Sequence, residues 1–152
     1  SMSLESPAAL SRREAAERWH HLEELDDGCA VVTRRLEVVY LNGTARALAR
    51  EDWYGHPCWY VLPVKDASCV CTCPAIRAGS SAEILYCEET IYPEDGVPVV
   101  LGVGIVPVGD GSTPADTLLL LRPKSPGGDS DAFRREVIRD ADELQTRVPT
   151  GR

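Results

Sequence analysis

No run of this chain approaches the roughly 20 consecutive apolar residues that a membrane-crossing helix needs, and no basic stretch precedes an apolar one at the N-terminus as in a secretory leader. A basic stripe is missing too. Lys and Arg number 16 against 24 Asp and Glu, for a formal net charge of -8, which argues against direct contact with DNA or RNA, whose phosphates demand clustered positive charge. There is no internal repeat and no βαβ unit. What is present is ordinary globular composition, 43% hydrophobic and 26% charged over 152 residues, enough for one domain with terminal helices to bury a core. The expectation is a cytoplasmic protein without membrane contact, in which Ser1 ahead of Met2 is a tag remnant.

Against these absences one feature stands out. Four of the six cysteines, Cys58, Cys69, Cys71 and Cys73, fall within sixteen residues at the spacing C-x10-C-x-C-x-C. In a reducing compartment such a cluster is more often a metal or redox site than a disulfide framework. Three readings stay open. Four thiolates suit zinc or an iron-sulfur cluster, although paired cysteines in such loops prefer two intervening residues, so one of Cys69, Cys71 and Cys73 can be a spectator. A reversible bridge from Cys58 to a loop cysteine would make a thiol switch. Inert thiols packing as small hydrophobes are the third. Cys29 and Cys87, on expected strands, read as core residues.

The remaining chain reads as short elements. Ala15, Trp19 and Leu22 fall at the spacing of one helical stripe, predicting an amphipathic helix over 11–25. Asp26-Asp27-Gly28 ends it, and β-rich runs at 29–33 and 36–41 flank Arg34-Arg35 as a hairpin. Asn42 can cap a helix over 43–50 through its side-chain oxygen. The aromatic stretch 53–62, broken by Gly55 and Pro57, predicts one or two helical turns, and 74–79 a further short helix. Strands follow at 82–92, 97–108 and 117–122. Pro93-Glu94-Asp95-Gly96 turns between the first two, and 109–116 is a polar loop before the third. Gly102 and Gly104 leave room for a ligand or for close backbone packing. A linker over 123–130 leads to a final helix with Phe133, Val137, Ala141 and Leu144 on one face. The organisation is thus an N-terminal helix over 2–26, a sensor-like domain over 27–122 and a linker with helix over 123–152.

That order of elements resembles the PAS fold, and the resemblance covers roughly residues 25–122. Asp27-Gly28-Cys29-Ala30-Val31-Val32 is similar to the first-strand motif of that family, Val38-Val39-Tyr40-Leu41-Asn42 to its step from second strand into helix, and Gly55-His56-Pro57-Cys58-Trp59-Tyr60-Val61-Leu62 to its glycine-cysteine motif. In a subset of PAS domains a C-x-x-C-P element follows, where this chain has Cys69-Val70-Cys71-Thr72-Cys73-Pro74. The resemblance implies an α+β fold, a five-stranded antiparallel sheet with short helices on one face and flanking terminal helices. It also implies a ligand pocket, for which Trp53, Trp59, Tyr60 and Tyr86 are the candidate residues. It further implies a sensory module of a bacterial signalling or transcription regulator, with a helix-turn-helix or kinase effector missing or separate. Homodimerisation through the stripes at Trp19 and Phe133 is expected, since an apolar helix face must be buried somewhere.

Cofactor readings follow the same pattern. Haem-binding PAS domains usually take their histidine from the later helix, where 74–79 offers none, so haem is disfavoured and His56 reads as a turn residue. Gly55-x-x-Cys58 is also similar to the reactive-cysteine motif of flavin-binding LOV domains. Pro57 and Leu62 stand where that motif has Asn and Gln, however, and flavin is disfavoured as well. Catalysis by Cys58 with His56, or with His20-His21, lacks an orienting carboxylate, so the chain does not read as an enzyme. The expectation is a sensor of redox state or metal through the cysteine cluster, in which the loop 62–76 is ordered or released and the terminal helices report it. A small-molecule sensor with a structural cysteine loop, and a ligand-free dimerisation adaptor, are the alternatives.

Overall fold

The computed structural model describes residues 12–33, 35–64, 83–94, 96–108 and 117–147. Helix α1 (Arg12–Trp19) runs into a 3-10 turn (His20–Glu24), followed by β1 (Gly28–Val32), β2 (Val38–Leu41), and the one-turn helices α2 (Gly43–Arg46) and α3 (Cys58–Val61). Strands β3 (Leu85–Ile91), β4 (Val99–Pro107) and β5 (Thr117–Pro123) and helix α4 (Ser130–Gln145) complete it. The five strands form one antiparallel sheet in the order β2-β1-β5-β4-β3, as expected. The expected segment 74–79 lies outside the described residues. Among those described, no helix is long and apolar enough to cross a membrane.

Several elements are shorter than their sequence pattern, for local reasons. The helix expected over 11–25 tightens at Trp19, which leaves helical geometry at φ -107 and ψ 10, so Leu22 turns inward on a 3-10 turn rather than a continued α-helix. The helix expected over 43–50 is regular only to Arg46 and continues as turns. The hairpin between β1 and β2 bends on Thr33, whose hydroxyl accepts from the Arg35 and Glu37 amides, while Leu36 adopts φ 65, an uncommon conformation for a branched residue. Helix α4 begins cleanly because the Asp129 side chain accepts from the Asp131 and Ala132 amides, satisfying donors that a helix start leaves without partners.

Alternation along the strands gives the sheet two apolar faces. The inner face carries Ala30, Val32, Leu101, Val103, Ile105, Leu119 and Leu121, packed with Val61, Leu62 and Trp53 from the segment of short helices. The outer face carries Val31, Val106, Leu118 and Leu120, packed with Ala15, Trp19 and Leu22 from the N-terminal helical segment and Val137, Ala141 and Leu144 from α4. The stripes expected to build a dimer are therefore covered by the chain's own sheet. The fit explains why: a Cβ added at Gly104 would stand 3.0 Å from the Ala141 Cβ, and one at Gly102 only 2.4 Å from the Phe133 ring. The two glycines serve close packing of α4, whose side chains fill the space above them.

Two polar clusters fix the outer helices to the sheet. Asn42, fully buried, accepts from the Cys29 and Ala45 amides and donates to the Leu22 and Asp27 carbonyls at 2.9 to 3.0 Å. One side chain thus ties the 3-10 turn, β1 and α2 together, beyond the cap its sequence position suggested. Arg122 on β5 donates two bonds to Asp27, at 2.8 and 2.6 Å, and one to Asp140 of α4 at 2.6 Å. Such a fork is the geometry that guanidinium groups make well.

Candidate functional site

The inner face begins with Cys58. Gly55, at φ 81, and Pro57 turn the chain so that Pro57 caps α3 and Cys58 opens it. The Cys58 amide donates to the Leu36 carbonyl at 2.8 Å, and its side chain packs against the inner core, as does Cys87 from β3. Cys69, Cys71 and Cys73 lie outside the described residues. Among the described residues no three His, Cys, Asp or Glu side chains are grouped to hold a metal ion. Cys29 is on the opposite face, fully buried. Burial, with Asp27 and Glu23 adding repulsion, pushes its thiol up to about 12, so at neutral pH it is a protonated core group.

His56 stands exposed beside this turn. Its ring lies 4.9 Å from that of Tyr60 and its Nε2 4.0 Å from Asp52, whereas the neighbouring Cys58 packs inward. Tyr60 donates to Asp52 at 2.9 Å, and the Arg50 guanidinium lies 4.7 Å from its ring while bonding the Tyr60 carbonyl. Hydrogen bonding to Asp52 holds the Tyr60 hydroxyl above its usual range. The polar end of Tyr60 is therefore committed to a surface network.

The four candidate pocket aromatics are not one group. Trp53 is buried on the inner face, capped from outside by the Arg12 guanidinium 4.6 Å from its ring. Tyr60 packs beside it and Trp59 is half-buried. Tyr86 is on the other side of the sheet, where it packs with the outer core, donates to Glu88 at 2.7 Å and lies under Arg134. Its register decides this: β3 pairs with β4 without a bulge, so Leu85, Cys87, Glu89 and Ile91 share the inner face, and Tyr86 and Glu88 the outer.

That parity also exposes a residue the sequence reading passed over. Glu89 sits in the inner row between Cys87 and Ile91, directly opposite Leu101, which is 1% exposed. The signal was available: a charge interrupts an apolar alternation. On the outer side, an open groove of about 670 Å³ runs between Thr90, Val100 and the turn from Lys124 to Ser130, with Val97 and Tyr92 exposed nearby.

No protein-family model and no curated protein matches this chain. Solved structures do. The chain is similar to the LOV protein of Rhodobacter sphaeroides, with 13% identity and a TM-score of 0.66 over 90% of this chain and 81% of that one. It is similar to the PAS domain of an HTR-like protein from Haloarcula marismortui, at 18% identity, TM-score 0.56, and 74% and 93% coverage. It also resembles VqmA of Vibrio cholerae, solved as a dimer, at 14% identity and TM-score 0.57, over 72% of this chain and 52% of that one. The fold is a PAS fold.

Proposed function

We propose that the chain is a sensory or regulatory domain whose inner sheet face receives a signal and whose terminal helices report it. The observation that carries this reading is that β4 and β5 serve both faces at once. Leu101, Val103, Leu119 and Leu121 form the inner wall, while Gly102, Gly104 and Arg122 of the same strands seat α4. A change that moves those strands changes the seat of the helix, which is how a local event on one face would reach the other. Likeness to VqmA, solved as a dimer and described through DNA-binding mechanisms of LuxR-type receptors, supports a homodimer acting with a separate effector, a helix-turn-helix domain or a kinase. The net charge of -8 supports leaving nucleic acid to that effector, and a cytoplasmic setting suits the cysteine usage.

Two kinds of signal fit the inner face. Cys58, packed against the inner core, together with Cys69, Cys71 and Cys73 would make a zinc, iron-sulfur or redox-responsive element. A small molecule on the β3–β4 wall is the second reading, favoured by Glu89. Neither flavin nor haem is proposed, because the strands offer that face no Asn, Gln or His with which to hold one. An enzymatic role is not proposed either, since His56 is engaged with Tyr60 and Asp52. Metal and acid-labile sulfide analysis, with an absorption spectrum, tests the first reading on protein purified without oxygen and again in air. Bound zinc, or a coloured cluster bleached by air, that is lost in Cys58→Ser supports it. No metal, no colour and all six thiols titratable under both conditions sinks it and leaves the small-molecule reading.

A further inference from the structure

Glu88 and Glu89 are sequence neighbours in opposite environments. Glu88, on the outer face, accepts from the Tyr86 hydroxyl at 2.7 Å and from Lys124 at 3.2 Å. Those two partners hold its carboxyl below the usual range. Glu89 is the only charged residue that the five strands turn to the inner face. It is half-buried, and among the described residues its carboxylate makes no hydrogen bond or ion pair. Desolvation alone acts on its carboxyl and raises it. Any β-branched apolar residue would satisfy this strand position, so the carboxylate brings a desolvation cost that nothing in the described chain offsets. A carboxylate without a partner in the inner row between Cys87 and Ile91 is a candidate binding group.

We propose that the β3–β4 wall of the inner face binds a small organic amine, its ammonium hydrogen-bonded to the Glu89 carboxylate and its apolar body laid over the partly exposed Leu85, Cys87 and Val99. This rests on the reading of the inner face as the receiving side and names the ligand class it takes. The apolar surroundings favour such a ligand: Leu85 and Ile105, Cys87 and Val103, Glu89 and Leu101, Ile91 and Val99 are cross-strand pairs, so a carboxylate stands alone in a hydrocarbon wall, where a charge-assisted bond gains from exclusion of water. A metal ion is a poorer occupant, because no group of three His, Cys, Asp or Glu is assembled among the described residues and hard ions need several oxygens. Anionic ligands meet Glu89 and a chain of net charge -8.

The test compares three six-carbon probes on the whole chain at pH 7: n-hexylamine, 1-hexanol and hexanoate. Affinity is read by titration of backbone amide shifts at Cys87, Glu89, Leu101 and Val103. Hexylamine is expected to shift these amides and to bind about tenfold more tightly than hexanol, the scale of one charge-assisted bond, with hexanoate weakest. Glu89→Gln should bring hexylamine down to the level of hexanol, and Glu88→Gln, on the other face, should leave it unchanged. If hexylamine and hexanol bind alike at these amides, or Glu89→Gln changes nothing, the amine assignment is overturned and the inner-face reading stands. If no probe shifts these amides, the amine assignment and the small-molecule reading of the inner face both fall, and only the cysteine reading is left.

Discussion

The two faces of this sheet are closed by different kinds of contact. On the outer face, α4 fits into glycine-made clearance on β4 and is held by Arg122, while Asn42 holds the 3-10 turn by a directional bond to Leu22. On the inner face, Trp53, Val61 and Leu62 meet a wall of Val, Leu and Ile with no side-chain hydrogen bond between them and the strands among the described residues. Directional contacts admit one arrangement and tolerate little change, whereas apolar contacts can repack. The difference gives the outer face precision and the inner face adaptability, which under the proposed reading are the reporting and the receiving side.

The largest expected effect lies at the residue both sides share. Asn42 spans from the 3-10 turn of the outer layer to α2 of the inner one, and Asn42→Ala would strip partners from two buried amides and two carbonyls. The Leu22 carbonyl keeps the Leu25 amide, so at about 1 kcal/mol for each of the other three groups urea unfolding should show a loss of about 3 kcal/mol. A loss below 1 kcal/mol would mean that water enters the site and that the two layers are not clamped there.

Adjacent residues on β4 give the next contrast. Gly104→Val forces side-chain atoms into Ala141 and Val137 and should cost about 2 to 3 kcal/mol, with hydrogen exchange of α4 rising first. Val103→Ala, facing inward and 7% exposed, removes atoms instead and should cost about 1 to 2 kcal/mol while leaving α4 protected. Equal loss of α4 protection in both variants would erase the distinction between the faces. Arg122→Met follows in size. It leaves the Asp27 and Asp140 carboxylates without their cation, and because both are about a quarter to a third exposed solvent limits the penalty to about 1 to 2 kcal/mol. Asp140→Asn made in the Arg122→Met background should then have little further effect, and full additivity of the two changes would show that the contact does not couple them.

Much of the scaffold was legible because it depends on period and punctuation. The places of the strands along the chain, the turn at Pro93 to Gly96, the Asn42 cap and the stripe of α4 were all written in local spacing. Where each face docks was not, since an apolar stripe states that it must be covered and says nothing of what covers it. The stripes at Trp19 and Phe133 fit a partner chain as well as their own sheet until Gly102 and Gly104 are seen beneath α4. Tyr86 was grouped with Trp53 and Tyr60 because its strand face was undetermined, and a shift of one residue exchanges the faces. The same parity hid Glu89. Of the cysteine cluster, only Cys58, at the turn that opens α3, is among the described residues.

The smallest effects make the sharpest comparison, because Glu88 and Glu89 differ in face and in little else. The Glu88 carboxyl is held below its ordinary value of 4.5 by Tyr86 and Lys124, so the stability it contributes is present above pH 4.5 and is lost as pH falls through its lower folded value. Glu88→Gln should therefore cost about 0.5 kcal/mol or less at pH 7, and less at pH 3. The Glu89 carboxyl is raised above 4.5 by desolvation, so folding favours its protonated form, and that advantage is lost as pH rises through its folded value. Glu89→Gln should accordingly stabilise the chain by a similar small amount at pH 7 and leave it unchanged at pH 3. Chemical unfolding of the two variants beside the parent at both values reads the pair of signs. Opposite signs at pH 7 would establish that one face satisfies its charge internally while the other holds a charge awaiting a partner. A loss of stability in Glu89→Gln at pH 7 would mean that its carboxylate is already compensated within the chain, and the contrast between the faces would then rest on α4 alone.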